Sequence, residues 1–120
     1  MREKAIDQRN TGNMYLLYTY EKLSDVEREL TLGPGDMRSR LLSAFRYLDR
    51  LCEEDFPGEL KEDYRWVIKK LTVQEPWRNY KGEIKVDAVE MTLGKMQNKT
   101  GVKIAQKLLK MKGELRREHL

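Results

Sequence analysis

Residues 33–58, GPGDMRSRLLSAFRYLDRLCEEDFPG, decide the fold class. Gly33-Pro34-Gly35 is a firm break in any regular element. Asp36 follows where a helix N-cap belongs, with a carboxylate able to accept backbone N–H groups. Behind it, Met37, Leu41, Leu42, Phe45, Leu48, Leu51 and Cys52 form one apolar stripe at helical spacing. Arg38, Arg46, Asp49 and Arg50 take the opposite side. The acidic run Glu53-Glu54-Asp55 comes next, and Phe56-Pro57-Gly58 ends the element.

The same logic extends outward. Pro57 is expected as the first residue of the next helix, because its missing N–H would be unpaired there anyway. Glu59, Glu62 and Asp63 suit the positive end of that helix, and Lys69 and Lys70 the negative end. Its inward stripe is Leu60, Tyr64, Val67, Ile68 and Leu71. Residues 72–82, broken by Pro76, read as a connection long enough to pack on the domain or serve function. No strand is expected beyond a short extended piece at Leu71-Thr72-Val73.

A further helix is predicted over residues 83–96, with Val86, Val89, Leu93 and Met96 inward. Residues 97–101 turn the chain. The last helix is predicted over residues 101–117, burying Ile104, Ala105, Leu108, Met111 and Leu115. Toward the N-terminus, a first helix is expected from Gly12 or Asn13 to about Lys22. It carries Met14, Leu17, Tyr18 and Leu23, and Ser24-Asp25-Val26 either continues it or recaps a short second helix ending near Leu30. The expectation is an all-α fold, a bundle or orthogonal array of about five helices. Residues 11–120 form one domain behind a flexible stretch over residues 1–10.

Composition narrows the function classes. The chain has 120 residues, 37% of them charged, and a single cysteine and a single histidine. Cys52 alone cannot form an intramolecular disulfide, and His119 lies in what reads as a frayed last turn. Histidine- or cysteine-based nucleophilic catalysis and a zinc site are therefore disfavoured. Carboxylate chemistry stays open, but the acidic run at residues 53–55 reads first as a solvated helix end. Gly33-Pro34-Gly35 reads as a turn rather than a phosphate loop, since no strand precedes it. No cofactor is implied. The charged start Met1-Arg2-Glu3-Lys4 has no apolar signal core behind it, and no stretch is of membrane-spanning length, so a cytoplasmic location without membrane contact is expected.

Charge is uneven. Residues 1–80 hold 14 Lys/Arg against 15 Asp/Glu, and residues 81–120 hold 10 against 5, so the last third carries a net +5. In the last helix Lys99, Lys103, Lys107 and Lys110 fall on one stripe, with Lys95 before it and Lys112 extending it. Such a stripe can track phosphates without reading bases, although a solvated outer face has the same pattern. A second set, Trp66, Lys70, Trp77, Arg78, Tyr80 and Lys81, mixes aromatic and basic residues. Trp66 falls about 120° from Leu60 around the helix, off the apolar stripe. Something must cover it: the Trp77 loop folding back, a protein partner, or a stacked base. A helix-turn-helix over residues 83–117 would depend on Asn98, Lys99, Thr100 and Lys103 as readers, so sequence-specific DNA binding ranks below generic anion binding.

Several pieces carry a family resemblance: Arg40-Leu41-Leu42-Ser43-Ala44, Asp55-Phe56-Pro57-Gly58-Glu59-Leu60, Leu71-Thr72, Thr92-Leu93 with Met96, and Ile104-Ala105. Together they resemble small uncharacterised helical proteins of bacteria and their phages or mobile elements. The resemblance implies a helical fold and a prokaryotic or phage context, and assigns no activity to any residue. The Trp77 loop is not part of it.

The sequence thus reads as a non-enzymatic binding protein. The leading partner is a phosphate-rich anion, nucleic acid or a nucleotide-type ligand, met by the basic last helix. The alternative is a protein-interaction module, an inhibitor or accessory subunit or a homo-oligomer. Its exposed face would include Trp66 and the acidic turn.

Overall fold

The computed structural model describes residues 8–120, with side chains from residue 15 onward. The described residues form five helices and one small hairpin: α1 (Gln8–Leu32), α2 (Met37–Leu48), α3 (Leu60–Leu71), β1 (Trp77–Arg78), β2 (Ile84–Val86), α4 (Ala88–Lys95) and α5 (Asn98–His119). A short 3-10 turn, Glu53–Asp55, lies between α2 and α3. The fold is all-α. α1 lies along α2 and α5, α4 leans on α2 and α3, and α3 packs on α5.

α1 is one helix, without recapping at Ser24. Thr19, Leu23, Val26 and Leu30 are buried on one face. Ser24 donates to the Tyr20 carbonyl at 2.9 Å, inside the helix, and Asp25 accepts an ion pair from Arg28 at 3.0 Å. Residues 8–10, expected to be loose, are helical, while residues 1–7 lie outside the described residues. Of the residues at helical spacing in this helix, Leu23 is buried, Leu17 and Tyr18 are exposed, and Met14 lies outside the described side chains.

The break after α1 is closed from two sides. The Asp36 carboxylate accepts from the Arg38 and Ser39 N–H groups, which caps α2. Arg40 donates back to the carbonyls of Leu30 and Gly35, both at 3.1 Å, and so satisfies one acceptor at the end of α1 and one in the break itself. Gly35 has φ +83°, the left-handed conformation that glycine adopts without steric cost. Within α2, Leu41, Ala44 and Leu48 are buried, whereas Leu42 is 40% exposed and Cys52, beyond the helix end, is exposed. The stripe is therefore narrower than the sequence pattern, because α1, α5 and α4 leave Leu42 and Cys52 uncovered.

The reversal from α2 to α3 is held by polar groups placed inside the core. The Tyr64 hydroxyl donates to the Leu51 carbonyl at 2.7 Å, and its ring stacks on Phe56 at 4.8 Å between centroids. Asp55 is fully buried; its Oδ2 accepts from the Cys52 N–H at 2.7 Å. The Thr19 hydroxyl, on α1, reaches the Asp55 carbonyl at 3.0 Å. Pro57 does not open α3. It stands three residues earlier, before a turn at Gly58 with φ +51°, and α3 starts at Leu60.

Residues 83–86 are not helical. Ile84 and Val86 are β-branched and sit opposite Arg78 and Trp77 in an antiparallel hairpin. Asn79 builds its turn, with Oδ1 accepting the N–H groups of Lys81 and Glu83. α4 starts only at Ala88, because Asp87 caps it by accepting from the Glu90 N–H at 2.9 Å. The expected turn at residues 97–101 is also shorter, since α5 begins at Asn98. Gly101 makes this possible. A Cβ there would lie 3.3 Å from Leu41 Cδ1, so α5 crosses α2 closely at this point.

Burial, helped by the nearby Asp49 and Asp55 charges, pushes the Tyr64 phenol up to about 12. The unfolded chain releases this proton near pH 10 and the folded chain does not, so the contribution is complete below about pH 10 and lost on rising toward 12. Urea unfolding of the wild type should therefore lose up to about 2–3 kcal/mol more between pH 9 and 12 than Tyr64→Phe does. Equal alkaline losses in the two proteins would show that the phenol does not titrate this way.

Candidate anion-binding face

The inward stripe of α3, Leu60, Tyr64, Val67 and Leu71, is buried, which turns Trp66 and Lys70 outward. α5 buries Gly101, Ile104, Ala105, Leu108, Met111 and Leu115, which leaves Lys99, Lys103, Lys107 and Lys110 on its outer half. The two helices run side by side in opposite directions: Lys107 meets Asp63 and Trp66, while Lys70 and Val73 share a groove with Gln97 and Thr100. The packing thereby joins two residue sets that are 29 or more positions apart in sequence, Trp66 and Lys70 with the α5 lysines.

Trp66 is the meeting point. The Lys107 ammonium lies 5.2 Å from its ring centroid and the Lys70 ammonium 5.6 Å. The ring is still 37% exposed. Lysine groups from two helices therefore lie against it, and no ring contact joins it to Trp77 among the described residues. Each such exposed cation–π contact is worth about 0.5–1 kcal/mol.

The lysine stripe divides into two halves. At its C-terminal end the charges are matched. Lys107 pairs with Asp63 at 3.5 Å, Lys110 with Glu114 at 2.6 Å, and Lys112 with Glu27. Their mutual hydrogen bond raises the Lys110 ammonium and lowers the Glu114 carboxyl relative to their ordinary ranges. At the N-terminal end, Lys70, Lys95, Lys99 and Lys103 have no carboxylate in ion-pair range among the described residues. Lys95 reaches only the Gln74 amide oxygen, at 3.5 Å.

Lys70 and Lys95 line a groove of about 320 Å³ that also takes in Thr92, Gln97 and Thr100. The start of α5 faces this groove without the carboxylate that caps α2 or α4. Gln97 makes no side-chain capping bond, and the first turn of α5 holds no acid. The positive end of the longest basic helix thus adds to the same potential.

The hairpin is a separate feature. Trp77 is 53% exposed and Tyr80 92% exposed. Arg78 donates to the Gly82 carbonyl at 2.9 Å, and the Lys81 ammonium lies 5.7 Å from the Tyr80 ring. The segment leading to it is tied to α4 by the Gln74 N–H, which donates to Thr92 Oγ1 at 2.9 Å. The Trp66–Lys81 segment, grouped in the sequence, therefore divides into a face on α3 and a projecting hairpin. Lys107, assigned in the sequence to the stripe alone, belongs to the Trp66 cluster; only the antiparallel α3/α5 packing reveals it.

The remaining chemistry-bearing residues have structural roles. Asp55 is turned inward, and Glu53 pairs with Arg65 at 3.1 Å, so the acidic turn does not present three carboxylates to solvent. Desolvation and the neighbouring Glu54 and Asp55 push the Cys52 thiol above its ordinary range, which makes it a poor nucleophile. His119 is not frayed: it ends α5, half-buried near the Gly58 turn. Among the described residues no group of three His, Cys, Asp or Glu is placed to hold a metal. No described helix is long and apolar enough to cross a membrane. No protein-family model matches the chain, and no curated protein or solved structure matches it at a significant level.

The two ammonium groups beside Trp66 give a direct optical test. In Trp77→Phe, where Trp66 is the sole tryptophan, iodide should quench fluorescence more efficiently than caesium. Replacing Lys70 and Lys107 by Gln should bring the two quenchers close to parity. Parity already in Trp77→Phe would contradict the lysine arrangement described here.

Proposed function

We propose that this protein binds a phosphate-rich polymer, nucleic acid, on the face formed by α3, the α4–α5 junction and the first turns of α5. The observation that supports this most is the unequal pairing of the lysines. Lys107, Lys110 and Lys112 have carboxylate partners, and Lys70, Lys95, Lys99 and Lys103 have none among the described residues. Acids of the fold pair with Lys107, Lys110 and Lys112 and leave these four lysines unmatched. An unmatched group beside a helix N-terminus favours an external anion. The exposed Trp66 ring adds a surface on which a base can lie.

The start of α5 does not suit a recognition helix. Asn98, the first residue in position to read a base, already accepts the Met37 N–H at 2.9 Å. Gly101 is pressed against α2. Binding is therefore to phosphates and independent of base sequence.

Four lysine–phosphate contacts give a slope of log affinity against log salt of about −3 to −4. Charge removal at Lys99 and Lys103 by Gln should weaken binding and reduce the slope by about two. Lys110→Gln, which removes a paired charge, should leave the slope nearly unchanged. Equal effects from both sets, measured by fluorescence anisotropy over a salt series, would count against the site as drawn.

A second reading draws on the hairpin. Trp77, Tyr80 and Ile84 are all exposed, an apolar surface that a protein partner or a second copy of the chain, in a phage or mobile-element setting, would cover. Light scattering after size exclusion separates this reading: a Trp77-dependent dimer supports it, and a monomer at all concentrations removes self-association.

A further inference from the structure

We infer, resting on the nucleic-acid reading above, that the bound polymer is single-stranded, with bases stacked on Trp66 and on the hairpin aromatics Trp77 and Tyr80. The bases of a duplex are already stacked on one another, so an exposed indole face offers a duplex nothing that a lysine does not. Three exposed rings interleaved with Lys70, Arg78, Lys81 and Lys107 are the pattern of a sequence-tolerant single-strand surface.

The lysines on Trp66 do not block this use. A base–aromatic stack is worth about five- to a hundredfold in affinity, whereas an exposed cation–π contact is worth about two- to fivefold. A base therefore displaces one ammonium from the ring, and that ammonium becomes available to the adjoining phosphate. Lys70 is the better candidate, because Lys107 is also held by Asp63 at 3.5 Å.

Chain geometry sets the length of the site. Trp66 is five residues from the end of α3, and Trp77 is six residues beyond that end. At about 1.5 Å per helical residue and at most about 3.5 Å per extended one, the two α-carbons are no more than about 29 Å apart. A stacked strand spanning that backbone distance has about eight or nine nucleotides at about 3.4 Å each. The segment joining the two tryptophans contributes Lys70, Val73 and Gln74 to the groove that Lys95 also lines, and the backbone phosphates of such a strand would run there.

The test compares a labelled oligothymidylate of about twelve nucleotides, a duplex of the same length and inorganic polyphosphate of matched charge, at about 20 mM and about 150 mM salt. The single strand should bind about tenfold tighter than either competitor, with affinity rising steeply up to about nine nucleotides. Trp66→Ala and Trp77→Ala should each weaken the single strand by about fivefold or more while leaving polyphosphate unchanged. Trp66→Phe should retain most of the affinity. Trp77→Ala lies on the projecting hairpin, away from the core, so its result stands whether or not Trp66→Ala folds. Equal binding of all three polymers, or unchanged single-strand affinity in the aromatic variants, overturns the single-strand inference and leaves phosphate binding standing. No binding of any of them at low salt overturns both.

Discussion

The Tyr64 hydroxyl bond to the Leu51 carbonyl fixes the orientation on which the rest of the molecule depends. A phenol carried on the inner stripe of α3 reaches back 13 residues to the end of α2. A buried carbonyl without a partner costs about 1–3 kcal/mol, so α3 is not free to rotate about its own axis. Phe56 stacks on the same ring, and Asp55 and Thr19 close the polar network to the 3-10 turn and to α1. With α3 oriented in this way, Trp66 and Lys70 must face outward and α5 must pass beside them. The candidate face is a consequence of how the core satisfies its polar groups.

Electrostatics then distinguishes one end of α5 from the other. The carboxylates of Asp63, Glu114 and Glu27 reach the middle of α5 and the turns after it, where they pair with Lys107, Lys110 and Lys112. The first turns meet the C-terminal ends of α3 and α4, which carry lysines of their own. Three helix ends of mixed polarity converge there, and the side chains between them are Lys70, Lys95, Thr92, Gln97 and Thr100. Exposed ion pairs contribute little to stability, so the matched lysines matter less for folding than for what they leave over. Of the cations in residues 81–120, Lys95, Lys99 and Lys103 stay unmatched beside Lys70, while Arg116 and Arg117 lie at the other end of α5.

The misread boundaries have a common cause. Val86 continues the helical spacing of Val89, Leu93 and Met96, although Ile84 and Val86 alternate as in a strand. Asn79 and Gly82, through a turn with φ +84° at Gly82, commit them to a hairpin. The Asp87 cap then delays α4. In α1 the opposite happened. Ser24 resembles a cap, but its hydroxyl bonds back to Tyr20 and the helix continues, because Leu23, Val26 and Leu30 already had a shared face to bury. A local capping residue acts only where the tertiary core has no use for continuing the helix.

The sequence by itself determined the all-α class, the firm break at Gly33-Pro34-Gly35, the Asp36 cap, the inward stripes of α3 and α5, and the excess of cations in the last third. Those properties follow from periodicity, capping chemistry and composition, which are local. Only the tertiary structure decided which lysines are matched, that Lys107 meets Trp66, that Asp55 is an interior residue, and that α5 starts pressed against α2. These depend on the antiparallel passage of α3 and α5 and on one close crossing at Gly101. Nothing in the spacing of residues along a chain records which faces of two distant helices will meet.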